Sequence, residues 1–213
     1  MSLLFVDNVT IARGGRVIVR ERSLSVEAGE VVALVGSNGC GKSTLLTCIA
    51  GVLAPKDGRI EIDGENVWGT RTQRQRARTH LGYVPEAADP PGFLRAEELW
   101  ALCAATRGSA DAKQGISAEE RELLGLDEIA ELALDKMSLG QRRRACLGGA
   151  LVGPPKLLVL DEPDNGLDVA RLGALASVVT AHAKNGGATI LASHDASWLD
   201  RITARRVEMI PPS

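Results

Sequence analysis

Eight consecutive residues, Gly36-Ser37-Asn38-Gly39-Cys40-Gly41-Lys42-Ser43, fit the pattern G-x-x-x-x-G-K-[ST], a spacing suited to holding phosphate. Its glycines let backbone N–H groups curl around phosphate oxygens, and a helix starting behind them adds partial positive charge. Lys42 then reaches the β and γ phosphates of a nucleotide, Ser43 ligates Mg²⁺, and Thr44 adds a hydroxyl contact to a nearer phosphate. A plain glycine turn before a helix would need neither the lysine nor the hydroxyl. Cys40 reads as a small filler, not a reactive thiol. A loop of this kind needs a second acid for the metal and a group to activate the attacking water. Leu157-Leu158-Val159-Leu160-Asp161-Glu162 offers both. Asp161 is expected to hold Mg²⁺ through water, and Glu162 to act as general base beside the γ-phosphate.

These residues need elements to place them. Leu3–Ile11, Val17–Leu24 and Val31–Val35 read as strands, the last a continuous apolar run suited to a strand covered on both faces. Lys42–Ala50 reads as a helix closed by Gly51. Arg59–Ile62 and Asn66–Trp68 flank Asp63-Gly64, a hairpin signal. Thr70–His80, rich in arginine, reads as a solvated helix, and Leu81–Val84 as a short strand ending at Pro85. From Leu94 to Leu151 the pattern is helical, broken near Gly108, Gly115 and Gly125. Leu157–Leu160, Asp168–Lys184 and Ala188–Ser193 alternate strand, helix and strand, which predicts a parallel sheet.

Composition narrows the field. The 213 residues suit one domain, and 45% hydrophobic with 24% charged residues is ordinary for a folded chain. The net charge of −2 gives no electrostatic case for coating nucleic acid. Cys40, Cys48, Cys103 and Cys146 lie apart without a C-x-x-C pair, which points to a reducing cytoplasm and away from disulfides or zinc. No apolar run approaches the roughly 20 residues of a membrane span, and the first residues lack signal-peptide character.

Met137-Ser138-Leu139-Gly140-Gln141-Arg142-Arg143-Arg144 resembles the signature segment of the ATP-binding cassette family, usually Leu-Ser-Gly-Gly-Gln followed by basic residues. Tyr83-Val84-Pro85-Glu86 resembles that family's Q-loop, Asn165-Gly166-Leu167-Asp168 its D-loop, and Ser193-His194-Asp195 its switch-histidine segment. The likeness spans nearly the whole chain. It implies an α/β P-loop NTPase with a mixed or parallel central sheet, an N-terminal antiparallel β subdomain and a helical signature subdomain. Residues 1–213 would form one domain, 1–86 and 152–213 the core with the β subdomain, and 87–151 the helical part. It also implies that His194 contacts the γ-phosphate, that Glu86 joins Ser43 and Asp161 at Mg²⁺, and that Asp168 helps pack one domain on another. Two such domains would dimerise head to tail, each ATP held between one P-loop and the Ser138, Gly140 and Gln141 segment of the second copy.

Three positions depart from the usual pattern. Glu86 stands where glutamine is common, Leu139 where glycine is, and Arg13 where an aromatic residue often stacks on adenine. The first two together resemble the ABC-2-type exporter branch. The guanidinium of Arg13 offers a stacking surface of its own. The expected function is an ATP-hydrolysing subunit, peripheral on the cytoplasmic face of the membrane, that drives transport, in the export direction, through separate membrane-spanning permease subunits. The alternatives are a soluble cassette ATPase acting on nucleic acid or ribosomes, and a nucleotide-switched regulatory module; no nucleic-acid partner is expected. The chain is expected to be a minimal cassette without a C-terminal regulatory extension. Ala87–Leu102 is expected to face the permease, so charge reversals there should uncouple transport and spare basal hydrolysis, as read by paired transport and phosphate-release assays.

Overall fold

The structure, a computed structural model, describes residues 2–87, 90–108 and 116–211. Gly115, read above as a helix break, lies outside them. Two sheets organise the chain. The first is antiparallel, in the order β2-β1-β4-β5, built from β1 (Ser2–Arg13), β2 (Arg16–Glu27), β4 (Asp57–Ile62) and β5 (Glu65–Asn66). The second is parallel, in the order β6-β7-β8-β3-β9. Its strands are β3 (Val31–Val35), β6 (Leu81–Val84), β7 (Leu157–Asp161), β8 (Ala188–Ala192) and β9 (Arg205–Glu208).

The parallel strands are apolar throughout because both of their faces are covered, and alternate residues serve different cores. Val31, Ala33, Leu158, Leu160 and Leu191 point into one cluster, which they share with α3 (Ala96–Thr106), α5 (Leu139–Leu151) and α6 (Val169–Lys184). Val32, Leu34, Leu157, Val159 and Ile190 point the other way, toward α1 (Lys42–Ile49) and the antiparallel sheet. The continuous apolar runs in the sequence are therefore two interleaved sets of core contacts.

Between β6 and β7 the chain is helical: α3, α4 (Ala118–Leu124), a 3-10 turn at Leu134–Lys136, and α5. Side chains stitch this block to the sheet. Trp100 Nε1 donates to Ala145 O at 2.8 Å, and the indole lies so close to Gly148 that a Cβ there would sit 2.7 Å from Nε1. Arg107 closes α3 against β6, donating from Nε to Leu81 O at 2.8 Å. Arg144 of α5 donates to Leu124 O and Gly125 O at the end of α4, at 2.9 and 2.7 Å.

One sequence expectation needs correction. The second strand of the hairpin stops at Asn66 because Asn66 Oδ1 accepts from Trp68 N at 2.9 Å and bends the chain. Trp68 leaves the sheet, and its Nε1 donates to Cys48 O of α1 at 3.1 Å. Beyond Ser193 the chain forms two further elements, α7 (Ala196–Arg201), capped by Asp195, and the edge strand β9. α2 (Arg71–Thr79) is the solvated helix expected, begun by a capping box of Thr70 and Gln73.

Candidate functional site

The strands β3, β6, β7 and β8 run in one direction, so their C-terminal ends open on one edge of the sheet, where open α/β sheets place their chemistry. The glycine loop joins β3 to α1 on that edge. Its backbone is shaped by contacts that only glycine permits. At Gly36, φ is 145° and a Cβ would lie 2.6 Å from Met209 O; at Gly41, φ is 103° and a Cβ would lie 2.9 Å from Val19 Cγ2 of β2. The antiparallel sheet thus supports the loop from one side. Ser37, Asn38 and Gly39 form its exposed lip, and Cys40 is buried beneath, as a filler should be.

Gly41 caps α1 without a side-chain hydrogen bond, and no acid occupies the first turn, so the N-terminal amides of Lys42, Ser43 and Thr44 face an anion-binding position. Lys42 is only 6% exposed. Its Nζ donates to Gly36 O at 2.9 Å and Ser37 O at 3.3 Å, which holds the ammonium over the loop. Ser43 Oγ donates to Asp161 Oδ1 at 3.0 Å, joining the start of α1 to the end of β7. Behind this pair, Thr47 Oγ1 donates to Ser43 O at 2.6 Å and lies 3.4 Å from Tyr83 Oη. Tyr83 belongs to the Tyr83-Val84-Pro85-Glu86 segment, and nothing in its sequence spacing announces this bracing contact.

Asp161 is almost wholly buried, and burial pushes its carboxyl above the usual aspartate range; the Ser43 hydrogen bond opposes this, and the nearby charge of Glu86 adds to it. The charge of Arg143 offsets only part of that rise. The Ser43 hydroxyl and the Asp161 carboxylate, joined by their hydrogen bond, are oxygen donors of the kind a hard divalent ion takes, and the negative charge of Glu86 nearby fits the same ion, so these residues fit Mg²⁺.

Glu162 is also buried, and its backbone adopts φ 46°, a left-handed setting uncommon for glutamate. Its N–H donates to Ala192 O at 2.9 Å, which ties it to the end of β8. His194, two residues past that strand, places Nε2 3.3 Å from Glu162 Oε1 and leaves its side chain 55% exposed. Burial raises the Glu162 carboxyl above its ordinary range, against the pull of His194, toward the value that suits a base near neutral pH.

The remaining expected residues lie on other surfaces. Arg13 is exposed at the end of β1, beside the Gly14-Gly15 turn. Ser138 and Gln141 form a capping box at the start of α5: Gln141 N donates to Ser138 Oγ at 3.2 Å, and Ser138 N to Gln141 Oε1 at 2.9 Å. Among the described residues, no hydrogen bond joins Ser138, Gly140 or Gln141 to the glycine loop of the same chain. Leu139 and Val169, the first residues of α5 and α6, are 72% and 84% exposed. Leu139 rests on the D-loop, since a Cβ at Gly166 would lie 3.0 Å from its Cγ, and a Cβ at Gly140 would lie 2.6 Å from Gly166 O. Gly140→Ala is therefore expected to push the two segments apart. It should leave nucleotide binding to the single chain's own loop unchanged and reduce hydrolysis at least about tenfold, the cost of displacing aligned groups; nucleotide titration and phosphate release measure the two.

A cleft of about 910 Å³ lies at the opposite end of β7, around Ser117, Lys156, His182 and Gly187. It contains none of the expected residues. All four cysteines are free, and burial pushes Cys48 to about 12 and Cys146 to about 11, away from thiolate chemistry at neutral pH.

A parallel sheet with a glycine loop, a buried strand-end acid pair and a histidine at the next strand defines a P-loop nucleotide hydrolase. Residues 19–165 match the family described as ABC transporter. The chain is 35% identical over 192 residues to the cytochrome c biogenesis ATP-binding export protein CcmA of Gluconobacter oxydans strain 621H, covering 90% of this chain and 81% of that one. It is 33% identical over 198 residues to the zinc import ATP-binding protein ZnuC of Paramagnetospirillum magneticum strain AMB-1, covering 92% of this chain and 69% of that one. A solved ATP-binding subunit of an ABC transporter superposes with a TM-score of 0.88 at 25% identity, covering 98% of this chain and 86% of that one. The chain belongs to the ABC transporter family: it is an ATP-binding subunit that hydrolyses ATP in transport.

Proposed function

We propose that this chain binds Mg-ATP at the Gly36–Thr44 loop and hydrolyses it as one half of a head-to-tail pair of cassettes, driving export through a separate membrane-spanning permease. The observation that carries this reading is the Ser43–Asp161 hydrogen bond. It sets the phosphate loop against the end of β7, so that Glu162, one residue on, stands at the same edge. In this reading the loop amides and Lys42 hold the β and γ phosphates, Ser43, Asp161 and Glu86 hold Mg²⁺, and Arg13 lies against the adenine. When bound, Mg²⁺ neutralises charge on the phosphate oxygens. Glu162 accepts a proton from a water whose oxygen attacks the γ-phosphorus. The bond from that phosphorus to the bridging oxygen breaks, and ADP leaves with the electron pair. His194 steadies the γ-phosphate oxygens and holds Glu162 in place.

The Ser138, Gly140 and Gln141 segment, with Ser138 exposed and Gly140 and Gln141 half-buried, makes no hydrogen bond to its own loop among the described residues and serves the nucleotide of the second copy. The exposed apolar side chains of Leu139, beside this segment, and Val169, next to Asp168, support that pairing. A groove of about 450 Å³ between the end of β6 and helices α3 and α5, lined by Tyr83, Pro85, Leu99, Cys103 and Cys146, suits the permease, with Phe93 and Leu102 exposed on the same helical block. Among the described residues, no helix is long and apolar enough to cross a membrane, so the crossing falls to the partner, and the chain works from the cytoplasmic face. Relatives include proteins named for export and for import. The Glu86 and Leu139 replacements, shared in kind with the ABC-2-type branch, favour export, and transport is favoured over a nucleic-acid role. Removal of divalent metal tests the site: EDTA should abolish hydrolysis at saturating ATP, and added Mg²⁺ should restore it. Hydrolysis that survives EDTA would contradict the assignment of Ser43, Asp161 and Glu86.

A further inference from the structure

Arg143 is charged, yet only 6% of it is exposed. It lies in the first half of α5, the helix whose N-terminus carries Ser138, Leu139 and Gly140. Its guanidinium spends its donors on backbone carbonyls of two separate segments. Nη1 donates to Pro85 O at 2.7 Å and to Glu86 O at 3.3 Å. Nη2 donates to Asp161 O at 3.0 Å and also to Glu162 O. The carboxylates of Asp161, Glu162 and Asp164 act on it through space and offset part of what burial costs. Its hydrogen bonds leave them free for other tasks.

The Glu162 backbone needs such a brace. Its left-handed φ is a setting that persists only where surrounding structure enforces it. The Ala192 carbonyl holds the Glu162 N–H on one side, and Arg143 holds the Glu162 carbonyl on the other. A planar fork can serve two carbonyls from each of two segments, whereas a lysine ammonium is a compact point donor.

We propose that Arg143 is a positioning residue for hydrolysis: it locks the Glu162 backbone and the Glu86 loop to one point on α5. The general base, the Glu86 segment and the helix that presents Ser138 and Gly140 then keep a fixed relation. This rests on the reading of Glu162 as the base. A small cavity of about 260 Å³, lined by Glu86, Ala87, Leu139, Arg142, Arg143 and Asn165, opens beside the guanidinium, which gives a free small cation a way in.

The test uses the full chain carrying Arg143→Ala or Arg143→Lys, with kcat, KM, equilibrium ATP affinity and melting temperature measured for each. Arg143→Ala is expected to lower kcat about ten- to a hundredfold, as misplacement of a catalytic group does, with KM and ATP affinity within about threefold. Arg143→Lys should regain part of that loss. Guanidinium at non-denaturing concentration should partly rescue Arg143→Ala, and equal urea should not. The proposal is overturned by a kcat within about threefold of wild type in Arg143→Ala, or by parallel loss of kcat and affinity. Loss in both variants that tracks a fall in melting temperature would overturn it too. A Glu162→Gln control separates the two readings: if hydrolysis survives that change, the base assignment has failed. If Glu162→Gln abolishes hydrolysis and Arg143→Ala does not lower it, only the role of Arg143 has failed.

Discussion

Glu162→Gln is expected to lower steady-state ATP hydrolysis by about 10²- to 10⁴-fold, the usual contribution of a positioned general base, while ATP binds as well as before or better. Glutamine keeps the volume and can still meet His194 Nε2, now 3.3 Å from Glu162 Oε1, so the strand ends should stay in place. What disappears is the proton acceptor, held by burial above the ordinary glutamate range. Removing its charge also eases the approach of the γ-phosphate, which is why affinity should not fall. Phosphate release and fluorescent-nucleotide titration on the same preparation separate the effects. A variant that hydrolyses ATP within about tenfold of wild type would assign the base elsewhere.

Lys42→Ala is expected to act one step earlier, on binding. Nζ rests over the loop, on Gly36 O and Ser37 O, and a phosphate bound there would take its charge-assisted hydrogen bonds. Each such bond is worth about 1.5–3 kcal/mol, and every 1.4 kcal/mol is about tenfold in affinity. ATP affinity should therefore fall about ten- to a hundredfold or more, as titration calorimetry would show. Lys42→Met, which keeps the apolar stem of a side chain only 6% exposed, should show the same loss with less change in melting temperature. Equal affinity in Lys42→Met and wild type would remove Lys42 from the phosphate site.

Much of this site was legible because its chemistry is local in sequence. The Gly36–Ser43 loop and the Asp161-Glu162 pair each sit at the end of an apolar strand, and a strand buried on both faces announces itself. The order of β3, α1, β7 and β8 followed from the same pattern. β9 was missed because an edge strand reading Arg-Arg-Val-Glu carries one apolar residue and shows no alternation. The Asp63-Gly64 hairpin signal extends the second strand to Trp68, whereas the Asn66 side chain bends the chain and the indole bonds to α1. Arg143 was hidden for another reason. Within Arg142-Arg143-Arg144 the three residues look alike, yet Arg143 reaches Pro85, Glu86, Asp161 and Glu162 while Arg144 reaches Leu124 and Gly125. Such separations of function within a charge run arise only from tertiary packing. Gln141 was expected at the nucleotide, and the fold also gives it the local task of capping α5 with Ser138.

In the proposed function the site is completed by a second copy of the chain. The most direct measurement of that claim is the molar mass of Glu162→Gln by size-exclusion chromatography with light scattering, with and without saturating Mg-ATP. The mass should double with Mg-ATP and return to that of one chain when EDTA is added, and Gly140→Ala in the same background should stay monomeric. A Glu162→Gln chain that remains monomeric at saturating Mg-ATP, with nucleotide shown to be bound, would contradict the head-to-tail pairing.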